Sequence, residues 1–119
     1  MEIPKPTEAD KDYFRSIVPD DPRVEIKPMF GNVAAFVNGN MFMGLFGPTV
    51  GVRLAERDRA TLLEVEGAGP FGPEGRPMGE YVAFPGEWRD DVVRTTEWSE
   101  IALEYVAEMP PKQKKPKKK

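Results

Sequence analysis

Residues 32–46 restrict the fold most, because they predict a β-hairpin that is apolar on both faces. Asn38-Gly39 separates two apolar runs and readily adopts the positive φ angles of a type I′ turn. The expected pairs are Phe36 with Met41, Ala35 with Phe42, and Ala34 with Met43. One face would carry Val33, Ala35, Val37 and Phe42, and the other Ala34, Phe36, Met41, Met43 and Leu45. Since a half-solvated sheet has one polar face, both faces of this hairpin need a cover.

The cover can come from helices, from the rest of the sheet or from a second subunit. Methionine-rich apolar surfaces bind partners adaptably, although the same side chains also fill cores. We therefore expect a homodimer or another protein partner. The candidate interface residues are Phe36, Met41, Met43 and Leu45.

The remaining elements predict an α+β fold, with an antiparallel sheet flanked by helices in the order α-β-β-β-β-α-β-α. Helical patterns cover residues 8–18 and 56–65, and further strands are expected at 24–27, 50–54 and 80–84. Residues 66–79 are rich in glycine and proline, which predicts a long exposed loop. That loop lies between a helix and a strand, so it does not have the context of a phosphate-binding loop.

The final helix is predicted from an apolar stripe at helical spacing, with Thr95 or Thr96 as its N-cap. The stripe consists of Trp98, Ile101, Ala102, Tyr105, Val106 and Met109. We expect Trp98 to anchor this helix on the sheet. A row of glutamates, which are Glu97, Glu100, Glu104 and Glu108, should face solvent on the opposite side.

Cysteine and histidine are both absent, which removes disulfides, thiolate chemistry and imidazole ligands. No stretch has the ligand spacing of an EF-hand or another metal motif. We therefore expect a noncatalytic protein with no cofactor or metal. A hydrolase would need two buried carboxylates close together, and the acids that folding could bring together are Glu80 or Glu87 with Asp90 and Asp91.

Charge separates the chain into an acidic body and a basic tail. The first 109 residues hold 11 of the 17 basic residues and all 20 acidic ones, a formal charge of −9. The six other basic residues are Lys112, Lys114, Lys115, Lys117, Lys118 and Lys119. Because the acidic body repels phosphate backbones, nucleic acid could be contacted only through this tail.

The chain therefore divides into an N-terminal extension (1–7), one domain (8–109) and a lysine-rich tail (110–119) that we expect to be disordered. No apolar run is long enough for a membrane span, and the polar N-terminus does not have the pattern of a secretory signal. The expected location is the cytoplasm.

Several segments in order resemble the TfoX N-terminal domain family over roughly residues 8–109. They are Lys27-Pro-Met-Phe-Gly31, Phe36-Val-Asn-Gly-Asn-Met-Phe42, Val50-Gly-Val-Arg-Leu54, Pro77-Met-Gly-Glu-Tyr81 and Phe84-Pro85, followed by the Trp98 helix. Asn32 stands where a second glycine is usual in the family. The separate C-terminal domain of full-length TfoX and Sxy regulators is missing from this sequence.

The resemblance implies an antiparallel sheet with helices, similar to secretion-chaperone-like folds, in bacterial proteins connected with the regulation of DNA transformation. It brings no catalytic residues. The expected function is thus a noncatalytic regulatory or protein-interaction module. The alternative is a nucleic-acid-associated accessory protein that contacts DNA or RNA nonspecifically through the tail.

Overall fold

Six antiparallel strands form one sheet in the computed structural model, which describes residues 5–29, 31–72 and 78–110. The strands are β1 (Val24–Met29), β2 (Asn32–Val37), β3 (Asn40–Phe46), β4 (Thr49–Arg53), β5 (Gly69–Pro70) and β6 (Tyr81–Ala83). Their spatial order is β1-β2-β3-β4-β6-β5. The first four strands are neighbours in sequence as well as in space, so short turns connect them.

Three α-helices accompany the sheet in the described residues: α1 (Glu8–Ile17), α2 (Glu56–Leu63) and α3 (Val92–Ala107). The predicted α+β class and the order of its main elements are confirmed. Two short elements were not expected from the sequence. Strand β5 lies inside the glycine- and proline-rich segment, and a 3₁₀ helix, Gly86–Asp90, precedes α3.

The turn between β2 and β3 has the predicted conformation, since φ is 55° at Asn38 and 79° at Gly39. The pairing of Phe36 with Met41 is confirmed, but the two expected pairs beyond it are wrong. A β-bulge shifts the register, so that Ala35 lies opposite Met43. The bulge adds one residue to β3, and every later side chain of that strand changes face.

One face of the sheet packs against the helices and forms the core. Phe14 and Ile17 of α1 and Leu62 of α2 are fully buried in it. The strands contribute Val33, Ala35, Val37, Met43, Leu45, Val50, Val52 and Val82. Because of the bulge, Met43 (0% exposed) and Leu45 (3% exposed) belong to this core.

Helix α3 packs through a stripe that agrees with the predicted one only in part, at Ala102 and Val106. Its buried residues are Thr95, Ser99, Ala102, Leu103 and Val106. The side chain of Ile101 is 39% exposed, and Trp98, Tyr105 and Met109 are only partly buried. Two hydroxyls can face the core because they donate back to the helix: Thr95 Oγ1 to the Asp91 carbonyl (3.1 Å) and Ser99 Oγ to the Thr95 carbonyl (2.7 Å).

The start of α3 also differs from the prediction. The N-cap is Asp91, whose side chain accepts from the Arg94 N–H at 3.1 Å, rather than Thr95 or Thr96. The predicted row Glu97, Glu100, Glu104 and Glu108 is exposed, as expected.

Asp10 connects α1 with the 3₁₀ helix that precedes α3. Thr7 and Asp10 form a capping box at the start of α1, with distances of 2.9 and 3.0 Å. The same carboxylate forms a 2.9 Å ion pair with Arg89 of the 3₁₀ helix. The backbone hydrogen bond from Thr7, followed by the contacts with the Thr7 hydroxyl and Arg89, holds the pKa of Asp10 below its usual value against the opposing effect of burial.

Asp10→Asn should lower the free energy of unfolding at neutral pH by about 1–3 kcal/mol, because a charge-assisted hydrogen bond and an ion pair are lost. A lowered folded-state pKa means that the carboxylate stabilises the fold above its unfolded pKa of 3.8 and that this contribution is lost as pH falls through the folded-state pKa. Urea denaturation of both proteins from neutral pH downwards tests this. A difference that stays constant to the most acidic pH would contradict it.

Candidate protein interface

The second face of the sheet, called here the outer face, points away from the helices. Alternation along the paired strands assigns its residues, because side chains that are opposite in register share a face. They include Glu25, Lys27, Ala34, Phe36, Met41, Gly44, Phe46, Thr49, Gly51, Arg53, Tyr81 and Ala83. Four of them are glycine or alanine, so the centre of this face is flat.

Phe71 covers that flat centre. Its side chain is only 3% exposed, and a Cβ atom added to Gly51 would fall on the Phe71 ring. The ring also lies 6.3 Å from the Phe46 ring and 6.0 Å from the Tyr81 ring, measured between centroids. The segment predicted to be a wholly exposed loop therefore contributes a buried aromatic side chain to the sheet.

Backbone contacts hold Phe71 in place. Strand β5, which ends directly before Phe71, pairs with β6. The Met78 N–H donates to the Phe71 carbonyl at 2.8 Å. Nearby, the Tyr81 hydroxyl donates to the Met41 carbonyl at 3.0 Å. Burial raises the pKa of Tyr81, so the phenol stays protonated and keeps donating at neutral pH.

Around this centre, four apolar side chains of the outer face are only partly buried. Phe36, Met41, Phe46 and Tyr81 each retain part of their exposure in the described structure. Charged groups lie beside them: Lys27 Nζ is 5.2 Å from the centre of the Phe36 ring, and Arg53 Nε is 2.6 Å from Glu80 Oε1. Aromatic and methionine side chains bordered by charged groups are typical of protein–protein interfaces.

The four predicted interface residues separate into two pairs. Phe36 and Met41 lie on the outer face, where a partner could reach them. Met43 and Leu45 lie in the core and are closed to a partner. Phe71 and Tyr81 were not among the interface residues predicted from the sequence. The alternating pattern of residues 81–83 could have assigned Tyr81 to this face. Nothing in the local pattern placed Phe71 on the sheet.

Comparison with known families supports the resemblance seen in the sequence. The model of the TfoX N-terminal domain matches residues 12–106. The chain belongs to the TfoX N-terminal domain family. No curated protein matches it.

The carboxylates considered for hydrolysis have other roles or positions in this TfoX N-terminal domain. Glu80 is exposed and pairs with Arg53, and Asp91 caps α3. Glu87 and Asp90 are exposed. Within residues 5–29, 31–72 and 78–110, no three acidic side chains form a group that could hold a metal ion.

Several features of the sequence fall outside the described residues. They include Phe30 and Pro77 of the family segments and all six tail lysines, Lys112 to Lys119. Among the helices of the described part of the TfoX N-terminal domain, none has both the length and the apolar character needed to cross a membrane.

Proposed function

We propose that this TfoX N-terminal domain is a noncatalytic, cytoplasmic regulatory module that acts by protein interaction and forms a homodimer through its outer face. One observation carries the proposal: the outer face has four partly exposed apolar side chains around its centre, and Phe71 rather than a helix covers that centre. Membership of the TfoX family supports a regulatory role.

The size of the outer face predicts a weak association. Five strands spaced about 4.8 Å apart and about 17 Å long give a surface of roughly 400 Å² on each copy. Two such surfaces bury roughly 800 Å² in total, which is below the standard size of a stable protein–protein interface. We therefore expect a reversible dimer at micromolar concentrations, as suits a regulatory contact.

Charged substitutions on the outer face should abolish this dimer. Phe36→Asp and Met41→Asp each place an unpaired carboxylate within the proposed contact, where desolvation opposes association. Sedimentation velocity over a micromolar concentration series should show that the wild-type protein self-associates and that both variants stay monomeric. Circular dichroism checks that both variants remain folded.

Leu63→Asp is the matched control, because Leu63 of α2 is a 49% exposed apolar residue outside the outer face. It should dimerise like the wild type. A wild-type protein that stays monomeric throughout the series would refute the homodimer, and equal losses in all three variants would show that the outer face is not the contact.

The alternative function is a nucleic-acid accessory role for the six tail lysines, supported by the separation of charge along the sequence. Such binding would be nonspecific and strongly weakened by salt. It would depend on the tail alone, because the formal charge of the first 109 residues is −9.

A further inference from the structure

A groove between α2 and α3 combines apolar and charged side chains. Ile101 and Tyr105 are its apolar lining residues. Its charged lining residues are Arg57, Asp58, Glu97, Glu100, Glu104 and Glu108. We call this surface the α2–α3 groove. Its five carboxylates and single guanidinium give it a formal charge of −4.

Most of these carboxylates lack a cationic partner within the described part of the chain. Glu104 pairs with Arg23 at 3.1 Å. No ion pair of the described residues involves Asp58, Glu97, Glu100 or Glu108. Ile101, at 39% exposure, lies among them on the same helix face. Apolar side chains between unpaired carboxylates suit a basic segment, because the aliphatic stems of its lysines and its proline rings can lie on them.

The lysine-rich tail of this chain has that chemistry and begins beside the groove. Asn38 Nδ2 donates to the Ala107 carbonyl at 3.3 Å, and Asn40 Nδ2 donates to the Pro110 carbonyl at 3.1 Å. These two bonds fix the end of α3 against the β2–β3 turn. Pro110, the last described residue, follows Glu108, the last carboxylate of the groove, by two positions.

The tail is also long enough to cover the groove. From Glu97 to Glu108 the helix rises about 16 Å, at about 1.5 Å per residue. Residues 111–119, if extended, span about 30 Å. Nine residues are therefore enough to run back along the groove from Pro110 to Glu97.

We propose that residues 111–119 bind in cis along the α2–α3 groove, with their lysines neutralising its carboxylates. This contact is independent of the outer face and its proposed dimer. Single exposed ion pairs contribute only about 0–1 kcal/mol, so many exchanging pairs hold the tail and salt releases it. Tethering favours binding of the tail to the groove, because a short connection gives the tail a local concentration of about millimolar there. The docked tail shields its lysines from other anions.

A spin label at the end of the tail tests the proposal. The chain has no cysteine, so Lys119→Cys gives a single labelling site in the full-length protein. At about 20 mM salt, a nitroxide there should reduce the amide signals of Asp58 and Glu97 by at least about twofold, and the signals should recover at about 500 mM salt. These two residues are the decisive ones, because the signals near Glu108 lie close to the tail in any conformation.

Two charge-matched variants of the labelled protein separate docking from simple proximity. Glu97→Gln, Glu100→Gln and Glu108→Gln together should restore the Asp58 signal at low salt. Glu64→Gln, Glu66→Gln and Glu87→Gln change three exposed glutamates outside the groove and should leave the broadening in place. Equal recovery in both triple variants, or no broadening at Asp58 in the parent, would overturn the proposal.

A mixed sample distinguishes the tail's own groove from that of another molecule. Isotope-labelled protein without nitroxide is combined with unlabelled protein that carries it. Unbroadened signals in this mixture support binding in cis. Broadening as strong as in the protein that carries both the isotope label and the nitroxide would show that tails bind neighbouring molecules. That result would overturn the cis arrangement.

Discussion

Trp88→Ala should lower the free energy of unfolding by about 3–5 kcal/mol, a large share of the roughly 5–15 kcal/mol that stabilises a domain of this size. Trp88 is 5% exposed and belongs to the core beneath the helices. Its ring lies 5.5 Å from that of Phe84, and the Arg94 guanidinium lies 5.1 Å above it. Truncation removes this burial and leaves a cavity where the 3₁₀ helix meets the sheet. Chemical denaturation monitored by circular dichroism measures the loss.

Trp98→Ala is the control for this prediction. The Trp98 side chain is only partly buried at the edge of the core. Its loss should cost about 1–2 kcal/mol, because less apolar surface leaves water on folding. Denaturation midpoints that place Trp98→Ala at or below Trp88→Ala would show that the tryptophans have the opposite roles.

The second large effect is expected at Gly51, where Phe71 lies directly on the strand. Any side chain at residue 51 must displace the Phe71 ring, since even a Cβ atom would overlap it. Gly51→Ala should therefore cost about 1.5–3 kcal/mol, the contribution of burying a phenylalanine side chain. Denaturant titration measures this loss, and near-ultraviolet circular dichroism should report the altered packing of Phe71 against Tyr81.

A double-mutant cycle gives the sharper test of the Gly51–Phe71 contact. Once Phe71→Ala has removed the ring, a methyl group at residue 51 no longer meets the three atoms nearest to it, all of which belong to that ring. Gly51→Ala should then cost less than about 0.5 kcal/mol, so the two effects are strongly non-additive. Additive costs would mean that the ring does not lie on the strand at Gly51. Gly69→Ala serves as a control, because nothing lies within 4 Å of a Cβ atom added there.

The number and kind of the main elements followed from the sequence, because local signals determine them. Asn38-Gly39 supports positive φ angles at two successive residues, which specifies the turn and the first pair, Phe36 with Met41. The apolar positions Phe14 and Ile17 likewise indicate which face α1 buries, whereas its Thr7 N-cap was recognised only in the structure. These signals act within a few residues of one another, so a single sequence reveals them.

The candidate interface was only partly predictable, because a bulge and a long-range contact define it. One extra residue in β3 moved Met43 and Leu45 into the core, and no residue type near Phe42 required that irregularity. Phe71 lies in a segment without periodicity, and its burial depends on Gly51, 20 positions earlier in the chain. The small residues on which it rests come from different strands.

By itself, the sequence determined the α+β composition of the domain, the apolar character of both hairpin faces and the separation of charge between body and tail. Only the tertiary structure decided what each face contacts. Helices α1 to α3 cover one face, and Phe71 covers the centre of the other. In α3, Ser99 is buried while Ile101 is exposed, because the Ser99 hydroxyl finds a backbone acceptor and the contacts of the assembled core set the rotation of the helix. The periodic pattern shows which positions of a helix or strand are apolar. Burial depends on which surfaces meet when the chain folds.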